Sequence, residues 1–373
     1  MQADAHGRTR VLFIFRNSFQ KRLLGDIHAG EAVPADFLYG MNEIDGTRFD
    51  VSSVVAPRGP RRTLAAWLGW LVERPLARIL GVGVPLEIYP LFRRQIRGTD
   101  VVFCANDAVS VAVLIWKKLG FVRAEVVVLL HGLAELLKDI KHRGALERFV
   151  GSLLAQAGAV LTLSDAAANA LAQRFGVSRS RMKTVRFGID RDFWKPLDAA
   201  VSGEYVLSIG NDFNRDYDTL IEAVPSDREL VVVTRRPLAP RSTRLRQLNG
   251  LSDLEVLALY QHARYVVIPN VKLANQSAGI SCCFQAIACG KVLIVADSPA
   301  LREVMTEGVH CYYYEPESPE SLKVVLAQVE RNLDQAADIG RRASDHVREH
   351  HTTATMGSDV TACLRQLTQH GRA

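Results

Sequence analysis

Residues 265–296 hold the pattern that most restricts the fold. An apolar run at 265–269 is followed by NQSAGISCCFQAIACGK at 275–291, and then by a second apolar run at 292–296. The order reads as strand, small-residue loop, helix, glycine stop and strand. A helix N-terminus presents unpaired N–H groups and positive potential, so the loop is a ready seat for a phosphate. Ala278 and Gly279 allow a ligand close to the backbone. Gln285 sits inside the helix, within reach of the same loop.

Strands buried on both faces read as continuous apolar runs. Such runs occur at 11–15, 51–55, 100–104, 125–130 and 160–163, with helical segments at 35–44, 108–119 and 145–157 between them. A second series has strands at 205–209, 230–234 and 265–269, and helices at 218–224, 254–262 and 318–333. This alternation predicts an α/β fold with doubly wound sheets. A chain of 373 residues is too long for one core and suits two domains. Pro, Ala, Ser and Gly cluster near 198–204, so the expected division is 1–198, rejoined by a C-terminal helix at 355–373, and 199–354. Two Rossmann-like domains facing each other place ligands beyond the carboxyl ends of their strands, in an interdomain cleft.

With 48% hydrophobic and 23% charged residues, the composition is that of a soluble globular protein. The formal charge of +6 favours anionic ligands or anionic membrane surfaces. It is a weak nucleic-acid signal, and no nucleic-acid partner is expected. The run at 11–15 is followed by Arg16 and reads as a first strand rather than a signal peptide. No run approaches the ~18 apolar residues of a membrane span. The six cysteines show no C-x-x-C spacing, and Cys282, Cys283 and Cys289 fall in an apolar helix. They read as reduced core thiols of a cytoplasmic protein. Asp165, Asp190 and Asp212 are isolated, so no metal site is expected. Residues 61–75, RRTLAAWLGWLVERP, place tryptophans between arginines, and 76–97 continue in that style. This suits either a helix packed on its own domain or an anionic membrane interface.

Four segments of the second half resemble, in order and spacing, the donor-binding half of GT-B glycosyltransferases, particularly the retaining family 4 enzymes. They are 160–196, where the chain crosses between domains, SIGNDFNRDYDTLIEA at 208–223, the 275–291 motif, and 295–303 with Glu307, Gly308 and Pro316. The first half fits loosely, through ADFLYG at 35–40 and LHG at 130–132. Asn211 stands where the family often has Arg, and Arg215 where it usually has Lys. Ser277 and Gln285 stand where it has paired glutamates, and Gly279 is displaced by one residue. These departures suggest a divergent branch.

The resemblance implies transfer of a sugar from a nucleotide-diphosphate sugar to a saccharide or lipid-linked hydroxyl acceptor. It also implies retention, no metal, no cofactor beyond the donor, and a role in polysaccharide or glycolipid assembly. The cysteine reading and the tryptophan–arginine stretch make the expected location cytoplasmic, or peripheral on the inner face of the cell membrane. The donor residues would be Gly210, Asn211, Arg215, Arg235, Asn270, Ser277, Ala278, Gly279, Ile280, Ser281 and Gln285. Arg16, His131 and Gly132 would meet the acceptor, and Arg215 and His131 would be catalytic. Negative charge grows on the leaving diphosphate, so fixed cations and N–H donors are the main expected help. A guanidinium grips phosphate oxygens bidentately.

Each residue also has a plainer reading. Arg215 could be a surface arginine paired with Asp216 or Asp218, Gly210 an ordinary turn, and 277–281 a simple helix cap. Gln285 and His131 could be structural, and Arg235 surface charge. The architecture also suits a nucleotide-sugar epimerase or a non-catalytic binding subunit.

Overall fold

The computed structural model describes residues 7–16, 18–56, 83–136, 143–197, 203–238, 244–272 and 278–370. Ser277 and the tryptophan–arginine stretch at 61–75 lie outside the described residues.

The first series of apolar runs forms a parallel sheet of β1 (Thr9–Phe15), β2 (Phe49–Val55), β3 (Val101–Cys104), β4 (Glu125–Leu129), β5 (Ala159–Thr162) and β6 (Met182–Thr184), in the order β2-β1-β3-β4-β5-β6. Its helices are α1 (Ser18–His28), α2 (Ile88–Arg97), α3 (Asp107–Lys118), α4 (Leu133–Leu136), α5 (Arg143–Leu154) and α6 (Asp165–Phe175). The second series forms β7 (Tyr205–Ile209), β8 (Leu230–Val233), β9 (Leu245–Leu248), β10 (Ala263–Ile268), β11 (Leu293–Ala296) and β12 (Tyr312–Tyr314), in the order β12-β11-β10-β7-β8-β9. With it go α7 (Tyr217–Ala223), α8 (Asp253–His262), α9 (Ile280–Ala288), α10 (Pro299–Arg302), α11 (Pro319–Arg331) and α12 (Leu333–His350), and α13 (Thr353–His370) ends the helices. Both sheets pair in parallel throughout. The doubly wound α/β architecture is therefore present twice.

The chain divides into two compact units. One comprises Met1–Glu31, Phe37–Arg186 and Met356–Ala373; the other comprises Ala32–Asp36 and Phe187–Thr355. The division falls at Arg186 and Phe187 because the backbone beyond it already bonds within the second unit. Ile189 bridges Thr352, and Asp190 N–H donates to Asp36 at 2.5 Å.

Central strands form because every side chain on them has a buried face to fill. Residues 11–15 of β1 are all buried, and Phe13 stacks on Phe103 of β3 at 4.3 Å between centroids. Each such side chain contributes roughly 1.5–3 kcal/mol. The helix expected at 35–44 is replaced by two 3₁₀ turns, Asp36–Leu38 and Met41–Glu43. Between them Tyr39 and Gly40 have φ of 53° and 74°, which ends any right-handed helix. Gly40 is required there: a Cβ would lie 2.5 Å from the Gly357 backbone nitrogen.

Strand order locates the ligand ends. In the second sheet the chain winds outward in opposite directions from the adjacent pair β7 and β10. Loops leaving such a switch point diverge and open a crevice at the strands' carboxyl ends. In the first sheet the switch point lies between β1 and β3.

Candidate functional site

Gly210 and Asn270 follow the two switch-point strands of the second unit, and Arg215 is held between them. The turn after β7 is tied to the end of β10 by a bridge between Arg215 and Asn270. Asp216 N–H donates to the Pro269 carbonyl at 2.9 Å, and Val271 N–H to the Asn214 carbonyl at 2.8 Å. This turns the Arg215 side chain inward, where only 2% of the residue is exposed. Its Nε donates to the Ile209 carbonyl at 3.2 Å. One terminal nitrogen, Nη1, meets Asn270 Oδ1 at 2.5 Å and Asp212 Oδ2 at 3.2 Å. The other, Nη2, has the soft Cys282 sulfur at 3.7 Å. Burial works against the charge, but Cys282 and Asp212 outweigh it and raise the pKa. The guanidinium is thus a fixed cation whose Nη2 has only a weak acceptor among the described residues.

Two glycines make room for it. A Cβ on Gly210 would stand 2.1 Å from Arg215 Nε, and one on Gly279 would stand 3.0 Å from Nη1. Gly279 has φ of 82° and begins α9. Asn270 closes the ring by donating Nδ2 to the Ala278 carbonyl at 2.8 Å. Gly210, Arg215, Asn270, Ala278 and Gly279 therefore come together around one buried charge at the start of a helix. Ile280 is buried in the core and Ser281 is half-buried beside it. Asn211 accepts the Arg235 N–H at 2.7 Å, while the Arg235 residue itself is exposed. Arg236 bonds the carbonyls of Asp212 and Arg215, keeping the turn closed.

Gln285, farther along α9, turns to other partners. Its Nε2 donates to Asp36 Oδ2 at 2.9 Å, and its Oε1 faces the Tyr260 hydroxyl at 3.5 Å. Asp36 also accepts the Trp194 indole N–H at 2.8 Å and the Asp190 N–H. Burial pushes its carboxyl up to about 6 against the three donors, with Asp190 adding to the rise. A second carboxylate at 285 would face Asp36 directly, which gives a physical reason for an amide there. Sequence reading missed Asp36 because it lay in an expected helix and its partners are far along the chain.

The first unit has its own polar cluster. Asn106 caps α3, accepting from Val109 N–H, and sets Asp107 in the first turn. The Asp107 carboxylate, overlooked from sequence, accepts the backbone N–H of His131 at 3.0 Å and of Gly132 at 3.2 Å. Burial raises its pKa, opposed by His131 and these bonds. His131 Nε2 lies 3.1 Å from the Ala105 carbonyl, which can only accept, so this nitrogen carries the N–H. Tyr39 packs on the ring at 5.3 Å. Arg16, after β1, donates to the Gly83 carbonyl at 2.5 Å. Among the described residues no group of three or more His, Cys, Asp and Glu could hold a metal ion.

Two family models match: Glycosyltransferase Family 4 over residues 47–193, and Glycosyl transferase-like over 215–360. The fold is similar to Anabaena Alr3699/HepE, crystallised with UDP-glucose, at TM-score 0.71 and 15% identity, covering 96% of this chain and 100% of that one. It is similar to sucrose-phosphate synthase of Thermosynechococcus elongatus at TM-score 0.70 and 14% identity, over 97% and 100%. The MMP alpha-(1->4)-mannosyltransferase of Mycolicibacterium hassiacum is 26% identical over 208 residues, 50% of this chain and 50% of that protein. The match thus spans about half the length of that curated relative. The two glycosyltransferase models match successive stretches of the chain, and the two-sheet fold matches that of GT-B glycosyltransferase structures.

Proposed function

We propose that the protein transfers a sugar from a nucleotide-diphosphate sugar to a hydroxyl acceptor, with retention and without a metal. The observation that carries this reading is the Arg215 guanidinium set between Gly210 and Gly279 at the switch point of the second sheet. A diphosphate there takes Arg215 Nη2 and the free N–H groups at the start of α9, which meet the charge that grows as the glycosidic bond breaks. The acceptor attacks from the face the diphosphate leaves, and the departing phosphate takes the acceptor proton, so no protein nucleophile is needed. His131 Nδ1, Gly132 and Arg16 serve the acceptor. The HepE complex with UDP-glucose and the mannosyltransferase similarity support a nucleotide-sugar donor. A saccharide or lipid-linked acceptor in polysaccharide or glycolipid assembly fits, as does peripheral contact with an anionic membrane. Among the described residues, no helix is long and apolar enough to cross one.

One observation favours a second reading, a non-catalytic binding subunit: the amide at 285 is bonded to Asp36. A panel of nucleotide sugars, incubated with chelator and with or without saccharide acceptors, separates the readings. Transfer is expected to require an acceptor and to yield the donor's anomeric configuration. Isomerised donor without acceptor would identify an epimerase. Binding without turnover on any acceptor would favour the subunit.

A further inference from the structure

A polar cavity lies at the amino ends of the strands of the first sheet, opposite the carboxyl ends where His131 stands. Thr99 and Ala124 precede β3 and β4, so they mark the amino ends of those strands. Beside them opens a cavity of about 410 Å³, whose lining includes Arg97, Thr99, Phe121 and Arg123. Local structure explains its shape. Helix α2 stops at Gly98, whose N–H returns to the carbonyls of Arg94 and Gln95. After α3 the chain turns through Gly120, with φ of 82°, and Phe121 N–H bonds back to the Trp116 carbonyl. The turn leaves two large apolar side chains in water, Leu119 at 61% and Phe121 at 47% exposure. Phe121 is anchored at its inner edge, with ring centroids 5.2 Å from Trp116 and 5.6 Å from Tyr89.

The charge around the cavity is one-sided. Arg97 is oriented by donating Nε to the Tyr89 hydroxyl at 3.1 Å. Among the described residues, neither Arg97 nor Arg123 pairs with a carboxylate. Exposed Arg93, Arg94 and Lys118 lie on the adjoining α2 and α3. The nearby acids are engaged: Glu125 with Lys117 at 3.8 Å, and Asp100 with Arg10 at 3.3 Å. A free phosphate would answer the arginines but leave Leu119 and Phe121 in water. An anionic bilayer answers both, because apolar side chains enter the headgroup boundary while cations meet lipid phosphate.

We propose that the cavity between Arg97 and Arg123 receives the phosphate headgroup of an anionic lipid, with Leu119 and Phe121 entering the membrane interface beside it. This gives a site to the peripheral contact proposed above and rests on that reading. It docks the first unit through the amino edge of its sheet.

The test is co-sedimentation of the full chain with phosphatidylcholine vesicles, with and without phosphatidylglycerol. Anionic vesicles are expected to bind at least about tenfold more tightly, and added salt to release the protein. At the magnitude of ~1 kcal/mol per basic residue near a charged surface, the Arg97→Ala/Arg123→Ala variant should bind about 30-fold more weakly. Leu119→Ser/Phe121→Ser should weaken binding while keeping its salt dependence. Thermal unfolding of both variants checks that they fold. Wild-type binding by Arg97→Ala/Arg123→Ala would overturn the site, as would equal binding to neutral vesicles. Stabilisation by inorganic phosphate without vesicle binding would overturn the lipid assignment. Turnover on a soluble acceptor is read in parallel: its absence counts against the glycosyltransferase reading and leaves the membrane result standing.

Discussion

The two switch points of this molecule are built on different chemistry. In the second unit a buried guanidinium is packed between two glycines and bonded by Asn270, so the site is a rigid positive charge with one lightly bonded nitrogen. In the first unit a buried carboxylate holds a loop through two backbone N–H groups, and the loop carries an imidazole oriented through Nε2. A fixed charge suits a ligand whose charge changes during reaction, because it needs no reorganisation. An oriented imidazole suits a hydroxyl whose proton must be steered. Sheet order locates both switch points, while local side chains decide what each one can handle.

The contrast between the two switch points depends most on Arg215. Arg215→Ala should cost turnover about 10²–10³-fold, the scale of losing one preorganised electrostatic donor, while far-ultraviolet circular dichroism stays native. Wild-type turnover in that variant would remove the charge from the mechanism. Gly210→Ala should act nearly as strongly for a steric reason, since the new methyl sits on Arg215 Nε. Overpacking of this kind costs about 1–3 kcal/mol, read as a lowered melting temperature together with weaker donor binding. His131→Ala should be milder, about 10–10²-fold in kcat/KM with nucleotide affinity unchanged. A drop in nucleotide affinity instead would erase the proposed contrast between the two switch points.

Smaller effects concern Asp36. Its folded pKa of about 6 exceeds the unfolded 3.8, so the folded protein holds this proton more tightly. The stability it contributes is fully present below pH ~3.8 and is lost as pH rises through ~6, on the order of 3 kcal/mol in all. Denaturant unfolding across that window should show this slope, and Asp36→Asn should flatten it even where the baseline falls. Gln285→Glu would add a carboxylate 2.9 Å from the same oxygen. It should lower stability at pH 7 and recover toward acid, where the pair shares a proton. A pH-independent effect would contradict the Asp36–Gln285 contact.

Much of the fold was legible because central parallel strands must be continuously apolar. Three of the four edge strands were not: β9 reads Leu-Arg-Gln-Leu, and β6 and β12 have three residues each. Residues 35–44 look helical in composition, yet Gly40 is dictated by Gly357, more than 300 positions away. The glycines, Arg215 and the start of α9 were visible as residue types suited to phosphate. Asn270's part as the clamp on Arg215 was not, since it depends on a bridge across the switch point. Asp36 was invisible for a similar reason, with Trp194 and Gln285 lying 158 and 249 residues away.

Isothermal titration of nucleoside diphosphates in chelator, comparing the wild type with Arg215→Ala, tests whether Arg215 holds the diphosphate. One nucleoside diphosphate should bind the wild type and bind the variant at least about 100-fold more weakly, a loss of about 2.7 kcal/mol. Equal affinity for both proteins, or binding that appears only when a divalent cation is restored, would contradict it.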